Sequence, residues 1–170
     1  MIVYHGSTQI VRKPLVNAGR HNLDFGPGFY ITNLRAQAIY WANRPANAGQ
    51  PHWLNIYQFD LEALHRDHYR HLQFAAYNYE WLEFVVANRR GEKRWQSYDL
   101  IEGGIANDRV FNTIELYLAG LTAREDALEK LRYEQPNNQL CLLRQEIIDH
   151  YLHFVSAEEV GNMTGKEEQP

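Results

Sequence analysis

Short strand-like segments, separated by turns and helical stretches, recur along the whole chain. β-prone runs bounded by Gly, Pro and Asn are typical of strands, and they lie at residues 2–5, 29–32, 53–61, 65–74, 98–101, 140–143 and 151–155. Helical spacing of apolar residues and helix-capping residues predict helices at 34–44, 79–88, 107–118, 122–133 and 144–149. The sequence therefore predicts an α+β fold with helices inserted between short strands.

Asparagine and glycine residues set expected boundaries of these elements. We expect Asn33 to cap the first helix and Asn107 the helix that runs to Leu118. Gly6 is expected to end the first strand, and Gly103-Gly104 the strand at 98–101.

Chain length and composition indicate one globular domain. The chain has 170 residues, of which 45% are hydrophobic and 22% charged. It contains no internal repeat or linker. We therefore expect one domain over residues 1–160, followed by a polar, disordered tail at 161–170.

The overall charge gives no electrostatic argument for a polyanionic or membrane-surface partner. Seventeen Lys and Arg residues stand against 21 Asp and Glu residues, a formal net charge of −4. A local basic run at 89–94 is either a solvated helix end or a contact for an anionic target. No window reaches about 18 consecutive apolar residues, and no signal peptide is visible. A cytoplasmic protein with no membrane partner is the resulting expectation.

The single cysteine, Cys141, excludes an internal disulfide and a four-cysteine zinc site. Its place in an apolar strand favours a small buried hydrophobic residue over a nucleophile. His65, His68 and His71 are spaced by three residues, but the charged residues between them favour a solvated segment. No metal site is predicted.

Two motifs near the N-terminus combine a glycine with a strand. In Tyr4-His5-Gly6-Ser7, the strand end can present the imidazole of His5 into a cleft, while Gly6 lets another backbone approach; the alternative is a histidine satisfied at a strand end. In the segment 25–30, two glycines permit a tight turn beside a ligand before Tyr30. Its alternative is a Gly/Pro turn that leads into a core strand.

Two further features lie on a helix and on a late strand. Trp41 shares a helical face with Leu34 and Ala38, which fits plain core packing or, at the edge of a cleft, stacking on a flat ring. Gln139 opens an apolar strand and is either an edge residue facing solvent or a polar group at a site.

In this order and separation, the motifs resemble the ADP-ribosyltransferase superfamily, in its diphtheria-toxin-like and PARP-like branch with the signature His-Tyr-Glu. The chain looks most similar to a bacterial family of unknown function in that branch. The resemblance runs from Tyr4 to about Val155 and includes the segments YDLIEGGIANDRVF and NNQLCL. It implies a split β-sandwich of two small mixed sheets, with NAD bound in the split between them.

The resemblance also implies roles for single residues. His5 would hydrogen-bond the 2′-hydroxyl of the adenosine ribose of NAD, and the backbone of Gly6 would grip the nicotinamide carboxamide. Tyr30 would stack on the nicotinamide ring, and Trp41, or else Tyr40, would close its other side. Ser7 and Gly28 complete the expected cofactor-binding set.

Gln139 occupies the place of the family's catalytic glutamate. In the family's chemistry, a carboxylate there bonds the 2′-hydroxyl of the nicotinamide ribose and offsets the positive charge that develops as nicotinamide leaves. Glutamine keeps the hydrogen bond and supplies no charge. Glu102 and Asp108 are the candidate substitutes; alternatively, Asp108 favours a helix dipole and Glu102 faces solvent.

The expected function is mono-ADP-ribosyl transfer from NAD to a macromolecular target, protein or nucleic acid, with release of nicotinamide and without a metal. Because Gln139 lacks a charge, the alternative is a catalytically inactive NAD-cleft protein that acts as a binding module. A toxin of a bacterial toxin–antitoxin pair, with a small antitoxin protein as partner, is compatible with either.

Overall fold

The computed structural model describes residues 1–16, 18, 23–104, 108–132 and 138–161. Within them, the strands are β1 (Ile2–Ser7), β2 (Phe29–Ile31), β3 (Trp53–Phe59), β4 (His71–Gln73), β5 (Leu100–Gly104), β6 (Asn138–Leu142) and β7 (Leu152–Glu159). The helices are α1 (Arg35–Ala42), α2 (Leu61–Arg66), α3 (Tyr79–Arg89), α4 (Asp108–Leu118), α5 (Arg124–Arg132) and α6 (Gln145–Tyr151).

The strands form two small sheets, so the fold is α+β as the sequence predicts. One sheet has the order β1-β3-β7 and is antiparallel throughout. The other has the order β2-β6-β5-β4 and is mixed, because β4 and β5 run parallel. The prediction of two mixed sheets is therefore right for the four-stranded sheet and wrong for the three-stranded one.

Two apolar cores flank the four-stranded sheet. On one face, Phe29 and Leu140 pack with Val3 and Tyr57 of the three-stranded sheet. On the other face, Ile101 and Cys141 pack with apolar residues of α3, α4 and α5. The alternation of side chains along each strand supplies both faces, since successive residues point to opposite sides. This leaves α1 to cover the three-stranded sheet, where it contacts β1 and β3.

A backbone-to-backbone contact at Gly6 seats α1 on β1. A β-carbon at this position would lie 1.8 Å from the carbonyl oxygen of Ala38 and 2.8 Å from the amide nitrogen of Ala42. Only glycine allows this approach. β1 continues through Gly6 to Ser7, so the prediction that Gly6 ends the strand is wrong. The glycine serves the helix packed on the strand instead.

The segment 65–74 contains a helix end and a three-residue strand, whereas its sequence pattern predicts a single strand. The Asp60 side chain accepts a hydrogen bond from the amide of Ala63 at 2.9 Å and begins α2. This cap commits residues through Arg66 to a helix. Only His71–Gln73 then joins the sheet, as β4.

Two other predicted boundaries also differ. Asn33 does not cap α1; instead the Thr32 hydroxyl accepts a hydrogen bond from the amide of Leu34, and the helix begins at Arg35. Gly103 and Gly104 lie inside β5, where a β-carbon would meet the rings of Phe25 and Phe74 or of Tyr77. These glycines make room for aromatic side chains. Asn107 and residues 162–170 of the predicted tail lie outside the described residues.

None of the helices in the described ranges is long and apolar enough to cross a membrane.

The close approach at Gly6 predicts the effect of a single methyl group. Gly6→Ala should lower the free energy of unfolding by about 3 kcal/mol, the upper end of what overpacking costs, because the obstacle is the backbone of α1 rather than a movable side chain. Chemical denaturation measures the change. Gly161→Ala is the control, since nothing lies within 4 Å of a β-carbon there. Equal stability of the two variants would contradict the proposed role of Gly6.

Candidate functional site

A cleft of about 440 Å³ opens where β1 and β2 part. The two strands are joined by one bridge, in which Tyr4 and Thr32 exchange both backbone hydrogen bonds at 2.7 and 3.0 Å. The cleft lining brings together five of the residues predicted from the sequence or its resemblance, namely His5, Gly6, Tyr30, Trp41 and Gln139. They come from β1, β2, α1 and β6, which are far apart in the sequence.

His5 is held in one tautomer by the strand opposite. Its Nδ1 donates a hydrogen bond to the carbonyl oxygen of Tyr30 at 2.8 Å, and its ring lies 4.5 Å from that of Phe29. Burial lowers the pKa of His5 below 6.5, and the hydrogen bond to Tyr30 offsets only part of that effect. The ring is therefore neutral at pH 7, and Nε2 carries a lone pair that can accept a hydrogen bond.

The backbone polar groups of Gly6 project toward the same side as those of Tyr4. Along a strand, the N–H and C=O groups of every second residue point to the same neighbour. Those of Tyr4 bond to Thr32, so those of Gly6 point to the side of β2, beyond the bridge. They present one donor and one acceptor at the edge of the cleft.

Tyr30 lines the cleft and has its hydroxyl tied to the backbone. The hydroxyl donates to the carbonyl oxygen of Gly26 at 2.6 Å and accepts from the amide of Phe25 at 3.2 Å. Burial raises the pKa of Tyr30 well above its ordinary value of 10, so the hydroxyl stays protonated. An anchored, neutral phenol suits a flat binding surface rather than an acid or base.

The face of α1 that lines the cleft carries Gln37, Ala38 and Trp41. Arg44 follows the helix and places its guanidinium over the Trp41 ring, 4.2 Å from the centroid. Tyr40, the alternative to Trp41, lies elsewhere on the helix and is 48% exposed. Of the two neighbours, the structure thus brings Trp41 to the cleft.

Gln139 lies on β6 and is 7% exposed. It pairs with Gly103 of β5 across the sheet. A hydrogen bond from Thr32 fixes the start of this strand, because the Thr32 hydroxyl donates to the carbonyl oxygen of Asn138 at 2.7 Å. Gln139 thus lines the cleft from a strand whose start is tied to the residue that follows β2.

The predicted substitute carboxylates are not brought to Gln139. Glu102 pairs with Leu140, the next residue of β6, so its side chain lies on the opposite face of the sheet. There it accepts a hydrogen bond from Asn138 Nδ2 at 2.7 Å and lies 3.4 Å from His71 Nε2. The pKa of Glu102 is lowered, first by the hydrogen bond from His71. Asp108 begins α4, and its side chain lies outside the described part of the chain.

Ser7 and Gly28, also predicted as cofactor contacts, have structural partners. The Ser7 hydroxyl donates to the carbonyl oxygen of Gln9 at 2.7 Å and accepts from its amide at 3.0 Å. A β-carbon on Gly28 would lie 2.5 Å from Cys141 Sγ, so this glycine lets the turn pack on β6. Cys141 itself is buried, and burial raises the pKa of its thiol to about 12.

Several cleft residues were missed by sequence reasoning. On one wall, Arg89 of α3 forms a salt bridge with Asp24 at 2.7 Å and places its guanidinium 4.7 Å from the Phe111 ring centroid. Its pairing with Asp24, and that of Arg94 with Glu92, balances part of the basic run at 89–94. No local sequence pattern predicts that Arg89, Asp24 and Phe111 come together at the cleft. Gln37 had a usable signal, since it lies four residues before Trp41 and hence on the same helical face.

The histidine segment forms a pair rather than a three-histidine cluster. His65 Nε2 and His71 Nδ1 lie 3.3 Å apart, with stacked rings. Over the ranges that the structure describes, no group of three His, Cys, Asp or Glu side chains is placed to hold a metal ion.

Comparison with known proteins gives one family. The family model described as "Protein of unknown function (DUF3990)" matches residues 1–154, nearly the whole chain. The chain belongs to this family. The matched range of the DUF3990 domain contains every strand and helix that lines the cleft. No curated protein and no solved structure matches the chain.

The low pKa of His5 predicts a pH dependence of stability. The unfolded histidine titrates near 6.5 and the folded one at lower pH, so the unfolded state binds more protons as the pH falls below about 6.5. Stability is then lost on acidification, with a limiting slope of about 1.4 kcal/mol per pH unit for one group. Denaturation between pH 5 and 8 should show a shallower loss for His5→Asn than for the wild type. Identical slopes would contradict the assignment.

Proposed function

We propose that the cleft binds NAD and that the protein transfers ADP-ribose from NAD to a macromolecular target, with nicotinamide as the leaving group. The observation that carries the proposal is the convergence of His5, Tyr30, Trp41 and Gln139 on one cleft. The resemblance to ADP-ribosyltransferases implies one site for these residues, although they lie on four elements that are far apart in the sequence.

The chemistry of the cleft suits the two halves of NAD. His5 Nε2 is an acceptor for a ribose hydroxyl, because Nδ1 donates to Tyr30 and the ring is neutral. The N–H and C=O of Gly6 match the acceptor and donor of a carboxamide. Tyr30 and Trp41 both line the cleft, and each brings a flat aromatic side chain on which a nicotinamide ring would stack.

The reaction breaks the bond between the nicotinamide nitrogen and C1′ of the ribose, and nicotinamide leaves with the bonding electrons. A nucleophilic oxygen or nitrogen of the target attacks C1′ and gives its proton to solvent. The Gln139 amide oxygen would orient the 2′-hydroxyl of the ribose, which places a dipole rather than a full charge beside the developing cation. We therefore propose slow transfer of a single ADP-ribose unit.

A second candidate is a binding module that holds NAD without cleaving it. Gln139 favours it, because this buried amide supplies no negative charge and Glu102 lies on the other face of the sheet. Nicotinamide release separates the two functions. A toxin role with an antitoxin partner stays a prediction, since it concerns a second protein.

The pair Trp41 and Tyr40 tests the proposed binding site. Trp41→Ala should weaken NAD binding about fivefold or more, the loss typical of one ring stacked on an aromatic side chain. Tyr40→Ala should leave the affinity within about twofold of the wild type, because Tyr40 lies outside the cleft lining. Isothermal titration calorimetry measures both. Equal effects of the two variants, or no NAD binding by the wild type, would sink the proposal.

A further inference from the structure

A second carboxamide, that of Gln37, belongs to a residue of the cleft wall, and its oxygen is unpaired among the described residues. Gln37 is on α1, one helical turn before Trp41, and both line the cleft. Its Oε1 is buried and has no hydrogen-bond partner among the described residues. Buried acceptors in native proteins are nearly always paired, so an unpaired one in a cleft wall indicates a group that accepts from a ligand.

The orientation of this amide is fixed by its neighbours. Gln37 Nε2 lies 3.5 Å from the carbonyl oxygen of Asn138, a contact at the long end of the hydrogen-bond range. That oxygen also accepts from the Thr32 hydroxyl at 2.7 Å. Turning the amide over would set Oε1 against a carbonyl oxygen, two acceptors facing each other. Oε1 is therefore the end directed away from Asn138.

Gln37 and Gln139 are joined through one short stretch of backbone. The Gln37 amide contacts the residue that precedes Gln139 on β6. The two residues, which both line the cleft, are therefore neighbours at the start of β6. In the NAD complex proposed above, this region holds the nicotinamide ribose, whose hydroxyls are donors.

We propose that Gln37 is a specificity-determining residue, whose Oε1 accepts a hydrogen bond from a hydroxyl of the nicotinamide ribose. The inference rests on the proposed function and adds to it a contact that the resemblance does not supply. Gln37 recognises the ribose, while Gly6 contacts the carboxamide. A ligand that lacks the ribose hydroxyls loses this contact and leaves Oε1 unpaired.

The test uses Gln37→Met, which keeps the length of the side chain and removes the acceptor. Its affinity is compared with that of the wild type for NAD, for 3-acetylpyridine adenine dinucleotide, whose acetyl group has no N–H, and for an NAD analogue without the nicotinamide-ribose hydroxyls. Because the variant loses one neutral hydrogen bond, its affinity for the first two ligands should be about two- to tenfold lower than that of the wild type. The deoxy analogue should bind both proteins equally.

Gln58→Met, an exposed glutamine on β3, is the matched control and should bind all three ligands like the wild type. Thermal unfolding shows whether each variant is folded. A purely structural effect of Gln37→Met would lower the affinity for the deoxy analogue as much as the affinity for NAD. That result, or unchanged NAD affinity, overturns the inference and leaves the proposed function standing. A loss for NAD but not for the acetylpyridine analogue assigns the donor to the carboxamide and overturns the ribose contact. No NAD binding by the wild type overturns the proposed function and this inference with it.

Discussion

Within the described part of the chain, one backbone bridge, between Tyr4 and Thr32, joins β1 to the residue that follows β2, and the cleft opens where this pairing stops. Continued pairing would bring Gly6 opposite Tyr30 and close the gap between β1 and β2. Instead the His5 ring donates to the Tyr30 carbonyl, and the backbone groups of Gly6 are left facing the gap. The hydrogen bond between His5 and Tyr30 thus takes the place of the next backbone pair, and both residues line the cleft.

Thr32 couples this bridge to the rest of the cleft. Its backbone bonds to Tyr4, and its hydroxyl accepts from the amide of Leu34 and donates to the carbonyl oxygen of Asn138. It therefore fixes the start of α1 and the start of β6 at the same point. The wall that carries Trp41 and the strand that carries Gln139 are positioned by one residue, which explains why side chains so distant in sequence share a site.

The sequence predicts local structure well where the residues of a segment themselves determine its secondary structure. α3 and β3 follow from their apolar spacing, and the α+β class follows from the alternation of elements. The prediction fails where a contact with a residue distant in the sequence determines the conformation. The pattern around Gly6 predicts the end of a strand, but the backbone of α1 packs against this glycine. Likewise the pattern at Gly103 predicts a break, but this glycine makes room for the Phe25 ring.

In the site, the motifs predict His5, Tyr30 and Trp41, whereas Asp24 and Arg89 are brought together only by tertiary packing. Whether Glu102 reaches Gln139 depends on the register of β5 and β6, which no local pattern encodes.

We propose that this cleft cleaves NAD with an amide where the chemistry of ADP-ribosyltransferases uses a carboxylate. Nicotinamide release from NAD by wild type and Gln139→Glu, with thermal unfolding to show that both are folded, tests it most directly. We expect release by the wild type above a protein-free control and a rate about tenfold or more higher in Gln139→Glu, because the carboxylate adds a charge beside the developing cation. Release by the variant alone would support the binding module. No release by either protein would contradict the claim.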